Sequence, residues 1–162
     1  MAIATVPWDP LSMASKNKTS EAADCVFCGI SSGRLPANVV WEDDDVLAFL
    51  DQTPLFKGHT LVVPRTHVET LPELADVPVL FSRVQAISRA VEEALGVAGS
   101  FVAINNRVSQ SVPHLHVHVV PRNFKDGLRG FFWPRTKYES EEEAAEYAAN
   151  LQGWLTEHEQ DV

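Results

Sequence analysis

The sequence predicts an α+β fold, built as a five-stranded antiparallel sheet with two helices. Three observations lead there. Short runs rich in Val, Leu and Phe follow one another with only turns between them. One long amphipathic segment interrupts the series, and more strand-like runs follow it. The strands are not each separated by a helix, which disfavours a doubly wound parallel sheet.

Each element has its own signal. Residues 26–32 read as a short helical turn closed by Gly33. Val39-Val40-Trp41 is a first strand, followed by the acidic turn Asp43-Asp44-Asp45. Residues 46–50 form a second strand, ended by Asp51 and Pro54. Residues 60–63 form a third, with Gly58 in the turn before it and Pro64 as its stop. Residues 79–95 form the main helix, because Leu80, Val84, Ile87, Val91 and Leu95 recur at three- and four-residue steps. Asp76 is placed to cap its start and Gly96 to end it. Residues 100–105 and 114–120 are the fourth and fifth strands, the latter ended by Pro121. Residues 139–155 form the second helix, acidic at its start.

A length of 162 residues suits one domain, and 45% hydrophobic with 22% charged residues excludes a disordered chain. The net charge of −9 disfavours broad binding to nucleic acid or to anionic lipid. It leaves room for a small anion in a locally positive pocket. No run approaches the ~20 apolar residues of a membrane span, and the first residues lack the pattern of a signal peptide. The expectation is therefore a cytoplasmic protein. Residues 1–24 read as a partly mobile tail and 25–162 as the folded domain.

His114-Leu115-His116-Val117-His118-Val119-Val120 carries the chemistry. In a strand, alternate side chains share a face, so the three histidines line one face while Leu115, Val117 and Val119 enter a core. A solvent-facing polar strand is the competing reading. Ser109-Gln110-Ser111-Val112-Pro113, just upstream, supplies hydroxyls and backbone N–H groups able to surround an anion, and Asn105 adds an amide donor. A neutral imidazole beside such donors is equipped for in-line attack on phosphorus. Cys25 and Cys28 form a C-x-x-C pair, for which a reducing compartment favours a metal or redox role over a disulfide.

His-x-His-x-His after Gln-Ser-Val resembles the histidine-triad (HIT) superfamily of nucleotide hydrolases and transferases. Cys25-Val26-Phe27-Cys28, residues 46–51 and Gly58-His59-Thr60-Leu61-Val62-Val63-Pro64-Arg65-Thr66-His67 look like the same family, in the same order. The resemblance implies the HIT fold and a set of roles. His116 would attack the α-phosphorus and form a nucleotidyl-histidine, and His118 would contact the phosphate. Ser111 and Asn105 would hydrogen-bond the phosphate and leaving-group side, with Gln110 positioning their loop. Asp51 would hold the ribose hydroxyls, and Phe27, Ile30, Phe49 and Leu50 would wall the base pocket, with plain core packing as the alternative for these four. The chain departs from the family in the loop 106–109, which looks short and carries Ser109 where glycine is usual. Arg107 there either reaches the leaving group or is solvated.

In the zinc-containing branch that the chain resembles, the C-x-x-C pair is completed by histidines matching His67 and His114. The implied site is a structural Zn2+ held by Cys25, Cys28, His67 and His114, with unligated cysteines as the alternative. His59 is read as a packing or hydrogen-bonding residue at the start of its strand. The resemblance also implies a two-fold homodimer, its sheets edge to edge, with Phe132, Trp133 and Arg135 reaching the partner's site. The expected activity is hydrolysis of purine nucleoside phosphoramidates or dinucleoside polyphosphates. The alternatives are a phosphorolytic nucleotidyl transferase and a non-catalytic, zinc-stabilised nucleotide-binding module.

Overall fold

In the computed structural model, residues 24–128, 138–140, 142, 143, 145 and 147 are described. The order is α1 (Val26–Ser31), β1 (Val39–Glu42), β2 (Val46–Leu50), β3 (Thr60–Pro64), a single 3-10 turn (Leu71–Glu73), α2 (Val77–Leu95), β4 (Gly99–Ile104) and β5 (Val117–Arg122). The strands form one antiparallel sheet in the order β1-β2-β3-β5-β4. The expected five-stranded α+β architecture is therefore present.

Alternation along the central strands divides two buried layers. Val46 and Ala48 of β2 and Val62 of β3 join Leu115, Val117 and Val119 against Leu80, Val84, Ile87 and Val91 of α2. Leu47, Phe49, Leu61 and Val63 face the other way, onto Cys25, Phe27 and Ile30 of the α1 segment. Covered on both faces, β2 and β3 read as unbroken apolar runs.

The main helix starts two residues before the expected position. Asp76 accepts a hydrogen bond from the Val79 amide at 3.2 Å, and Pro78 occupies the first turn, where no N–H partner is needed. Gly96 ends it at φ 63°, as its sequence position suggested. The acidic turn after β1 is organised by one carboxylate. Asp43 accepts from the amides of Asp45 and Val46 and from Arg83 Nε on α2 at 2.6 Å. That guanidinium holds the Asp43 carboxyl well below the usual carboxylate range. Arg65, just after β3, donates to the Ser31 carbonyl at 2.9 Å and so ties the end of α1 to the sheet.

The fifth strand departs from expectation at both ends. It begins at Val117 and runs through Pro121 to Arg122. β3 pairs with β5 only from Thr60↔Val119 to Val62↔Val117. Before Val117 the chain turns to other partners: the Leu115 amide donates to Val68 O at 2.7 Å and the His114 amide to Val112 O at 2.8 Å. Pro121 pairs opposite Ser100 of β4, beyond the point where β3 has ended, so proline does not stop the strand there. β4 ends at Ile104, which leaves Asn105 outside the sheet.

The chain falls into two units, Met1–Phe124 and Lys125–Val162. In the second, residues 142, 143, 145 and 147 are helical, and the rings of Tyr138 and Tyr147 lie 5.7 Å apart. Residues 139 and 140, expected to open the C-terminal helix, are bends, while the rest of that helix, the aromatic cluster with Phe132, Trp133 and Arg135, and the tail before Asp24 lie outside the described residues. No helix among the described residues is long and apolar enough to cross a membrane.

Candidate active site and metal cluster

The alternation expected of the triad survives although its first half is not in the sheet. Leu115, Val117 and Val119 are fully buried on the α2 side. His114 and His116 are buried on the opposite side, against Phe27, whose ring centroid lies 5.9 Å and 5.3 Å from theirs. The His116 and His118 rings follow at 4.9 Å.

Hydrogen-bond partners assign the tautomers. His116 Nδ1 lies 2.7 Å from the carbonyl oxygen of His114, an acceptor only. The proton therefore sits on Nδ1, and Nε2 keeps its lone pair. His59 Nδ1 accepts the Leu55 amide at 3.3 Å, so its proton sits on Nε2, which donates to His118 Nδ1 at 3.0 Å. His118 in turn carries its proton on Nε2. The His59 and His118 centroids are 5.2 Å apart, the spacing of two rings meeting end to end through one shared proton. Burial pushes His59 down and His118 down to about 4, so both are neutral near pH 7.

A cavity of about 520 Å³ opens onto this face. Phe27, Ile30, Phe49 and Leu50 line it, and the first three also belong to, or border, the α1-side core. The two readings of these residues are thus compatible: their inner surfaces pack while their outer surfaces form a wall. Asp51, Ser111, His116 and His118 line the same cavity. Asp51 Oδ1 accepts from the Thr53 amide at 2.8 Å, and Oδ2 lies 3.5 Å from His59 Nδ1.

The loop that delivers Ser111 is built on residues 68–73. Leu71 donates its amide to Asn106 Oδ1 at 2.9 Å, and Gln110 Nε2 donates to Glu69 O at 2.7 Å. Gln110 Oε1 accepts the Arg107 amide at 2.7 Å, so its side chain braces the loop. Arg107 donates to Glu73 Oε1 at 3.1 Å, which settles its position at an exposed ion pair. Arg107 and Ser109 both adopt positive φ, 66° and 60°. Glycine at 109 would take that conformation without strain. Asn105 is exposed and is not among the residues lining the cavity.

The four residues suggested for a metal meet at one point. Cys25 Sγ lies 3.4 Å and Cys28 Sγ 3.6 Å from His114 Nδ1, and Cys28 Sγ lies 3.2 Å from His67 Nδ1. All four donor atoms fall within 4.8 Å of one another. A tetrahedral ion with bonds of ~2.3 Å to sulfur and ~2.0 Å to nitrogen needs S···N separations of about 3.5 Å. The outer contacts agree. His114 Nε2 donates to Pro64 O at 2.8 Å, which turns the Nδ1 lone pair toward the sulfurs. Burial pushes the Cys28 thiol up to about 11 and His114 down to about 4. A cation at the centre offsets the cost of ionising such buried thiols. The donor set therefore fits zinc. His67 Nε2 is buried with no partner among the described residues, the one gap in this outer shell.

His59 is the residue whose role the linear sequence understated. Leu61 stands opposite His118 in the register, and His59 is its diagonal neighbour on the same face. The signal was present in the strand pairing, which a linear reading does not supply.

A five-stranded α+β domain with a histidine-bearing strand beside a nucleotide-sized cavity defines a class, and comparison with known proteins gives its membership. The family model described as HIT domain matches residues 32–125. Over 116 residues the chain is 40% identical to "Protein hit" of Bacillus subtilis, covering 69% of this chain and 80% of that one. It is 34% identical over 120 residues to "Adenosine 5'-monophosphoramidase hnt1" of Schizosaccharomyces pombe, covering 73% and 89%. It is 38% identical over 109 residues to "Adenylylsulfatase HINT3" of Arabidopsis thaliana, covering 65% and 55%. Among solved structures, a Zn-bound histidine triad family protein from Mycobacterium smegmatis matches with a TM-score of 0.59 and 35% identity, covering 83% of this chain and 98% of that one. The chain belongs to the HIT family.

Proposed function

We propose that this HIT-family chain is a nucleotide hydrolase acting at an α-phosphorus through His116. One observation carries the reading. His116 spends its Nδ1 proton on the His114 carbonyl at 2.7 Å, which leaves Nε2 unprotonated at the wall of a cavity of about 520 Å³. A neutral imidazole fixed in one tautomer is an activated nucleophile.

The base lies among Phe27, Ile30, Phe49 and Leu50, and Asp51 accepts hydrogen bonds from the ribose hydroxyls. Ser111 and His118 Nε2–H hold the phosphate oxygens. Nε2 of His116 forms a bond to phosphorus as the bond to the leaving group breaks, and the leaving atom takes a proton from solvent, since neutral His118 donates only a hydrogen bond. Water then attacks the nucleotidyl-histidine, and the nucleoside monophosphate departs with His116 restored. Asn105 has no place in this scheme, and Gln110 acts through the loop it braces. The relatives' names, a monophosphoramidase and an adenylylsulfatase, agree with adenylyl donors as substrates.

Cys25, Cys28, His67 and His114 would hold a zinc ion. With every position filled by protein, that ion would link α1 to the triad and supply structural stability. A two-fold pairing along a sheet edge belongs to the same reading, β1 and β4 being the edges among the described residues.

The test is intact-protein mass spectrometry after acid-labile trapping with an adenosine phosphoramidate. The native chain gains one adenylyl group and His116→Ala does not. Unchanged turnover in His116→Ala would overturn the reading. A phosphate-dependent nucleoside diphosphate product would mark phosphorolysis instead.

A further inference from the structure

Cys25 and Cys28 are the two cysteines of the chain, and both are free thiols. They start α1, where the Cys28 amide donates to Cys25 Sγ at 3.5 Å. Both sulfurs approach His114 Nδ1, at 3.4 Å and 3.6 Å. They lie within 4.8 Å of each other. Rotation about the side-chain bonds and a small shift of the turn bring them to the ~2.05 Å of a disulfide. The pair is also reachable. Cys28 is half-buried, and Cys25 lines a cavity of about 400 Å³ together with His67 and Ser111. A small uncharged oxidant such as hydrogen peroxide fits that space. Sulfurs that serve as metal ligands are held as thiolates, the form that attacks a peroxide.

Closing this pair acts on the face that carries His116. The two cysteines bracket Val26 and Phe27, which line the same cavity as His116. The Phe27 ring packs against both His114 and His116, with centroids 5.9 Å and 5.3 Å away. Joined sulfurs no longer act as thiolate ligands, and His67 with His114 leaves a tetrahedral ion two donors short. Of its side-chain hydrogen-bond partners among the described residues, His114 then keeps Pro64 O. The carbonyl of the same residue fixes the Nδ1 proton of His116. A covalent closure of residues 25–28 therefore reaches the cavity wall and the tautomer of His116 together.

We propose that Cys25 and Cys28 form a peroxide-sensitive modification site, whose closure to a disulfide releases the hold on His114 and disarms His116. One sulfur attacks an oxygen of hydrogen peroxide, the O–O bond breaks, and a sulfenic acid and water result. The other sulfur attacks the first, the S–S bond forms, and the oxygen leaves as a second water. Counted as thiols, the pair gives up two electrons and two protons, and peroxide takes both. A thiol reductant reverses the change. The consequence for catalysis rests on His116 as the nucleophile, whereas the dithiol chemistry stands apart from it.

The experiment treats the full native chain, as purified, with a few equivalents of hydrogen peroxide. Peptide mapping is expected to show the peptide that carries Cys25 and Cys28 lighter by two hydrogens. Nitrogen NMR of the histidine rings should show His116 protonated at Nδ1 before treatment and divided between its tautomers after it. Adenylylation of His116 by an adenosine phosphoramidate should fall about tenfold or more. Dithiothreitol with added zinc should restore it, which separates the effect from methionine oxidation. Thiols that stay reduced, or sulfinic acid in place of the disulfide, overturn the site. So does a disulfide that leaves the His116 tautomer unchanged. A reduced chain whose His116 takes no adenylyl group overturns the catalytic reading alone, since peptide mass and ring NMR still decide the dithiol.

Discussion

His114 accepts the Nδ1 proton of His116 on its carbonyl oxygen at 2.7 Å, while its own Nδ1 lies 3.4 Å from Cys25 Sγ. One residue thus belongs to two constellations. Its side chain is part of the Cys/His cluster, and its backbone sets the tautomer of the proposed nucleophile. The Cys/His cluster and the proposed nucleophile share residue His114, so what orders one orders the other.

Metal content follows directly. The purified chain is expected to carry about one zinc per molecule, measured by elemental analysis. Cys28→Ser and His67→Ala are expected to lose it. At free metal 100- to 1,000-fold above its Kd, binding contributes about 3–4 kcal/mol. Chelation should therefore lower the unfolding midpoint of the native chain and leave that of Cys28→Ser unmoved.

His59 is expected to control catalysis without forming the nucleotide pocket. Replacing it by Phe removes the proton donated to His118 Nδ1, and His118 then has no fixed tautomer. Turnover of an adenylyl substrate should fall about 10- to 100-fold. AMP affinity, read by calorimetry, should change by no more than about twofold. A loss in AMP binding equal to the loss in kcat/KM would contradict the assignment.

Stability should decline on mild acidification. Burial, reinforced by His116 and His59, lowers His118 from 6.5 to about 4. Between those values the unfolded chain holds a proton that the native chain does not, so acid favours unfolding. The contribution is complete above about pH 6.5 and is lost as pH falls toward 4. Discounted for partial exposure, it is on the order of 2 kcal/mol. Urea titrations of the native chain and of His118→Phe check this, since the variant should show a shallower decline.

Ser109 offers a test of backbone strain. A non-glycine residue in the left-handed region costs roughly 1–2 kcal/mol, and Ser109 has φ 60°. The greater freedom of glycine in the unfolded chain returns about 0.4–1 kcal/mol of that. Ser109→Gly is expected to stabilise the domain by about 0.5–1 kcal/mol. Gly58→Ala should do the reverse. Its φ is 95°, and an added Cβ would collide with Leu95 Cδ1 and press on Pro121 Cγ at 3.2 Å. Thermal melts of both variants decide the signs.

The fold was legible wherever a local rule and the tertiary environment agreed. The apolar stripe on 80–95 with Asp76 and Gly96 at its ends, and the runs after Asp45 and Gly58, all became elements. Boundaries failed where a neighbouring strand had stopped. Pro64 does end β3, but Pro121, which also looked like a terminator, lies within β5 at a point where the ladder to β3 has ended. The end of the fourth strand differs for a related reason: β4 releases the chain at Ile104, one residue before Asn105, and Asn106 becomes the side chain bonded to residue 71.

What the sequence by itself determined is the alternation of His114, His116 and His118 with Leu115, Val117 and Val119, because a two-residue period needs only covalent geometry and burial. It also showed a C-x-x-C pair, whose two histidine partners came only from the family resemblance. Only the tertiary structure decided which atoms meet. That His116 donates to His114 O, that His59 donates to His118, and that residues 68–73 brace the loop before the triad all depend on contacts between segments distant in the chain. Hydrogen bonds are short-ranged and directional, so a proton's position follows from the final packing and not from the order of residues.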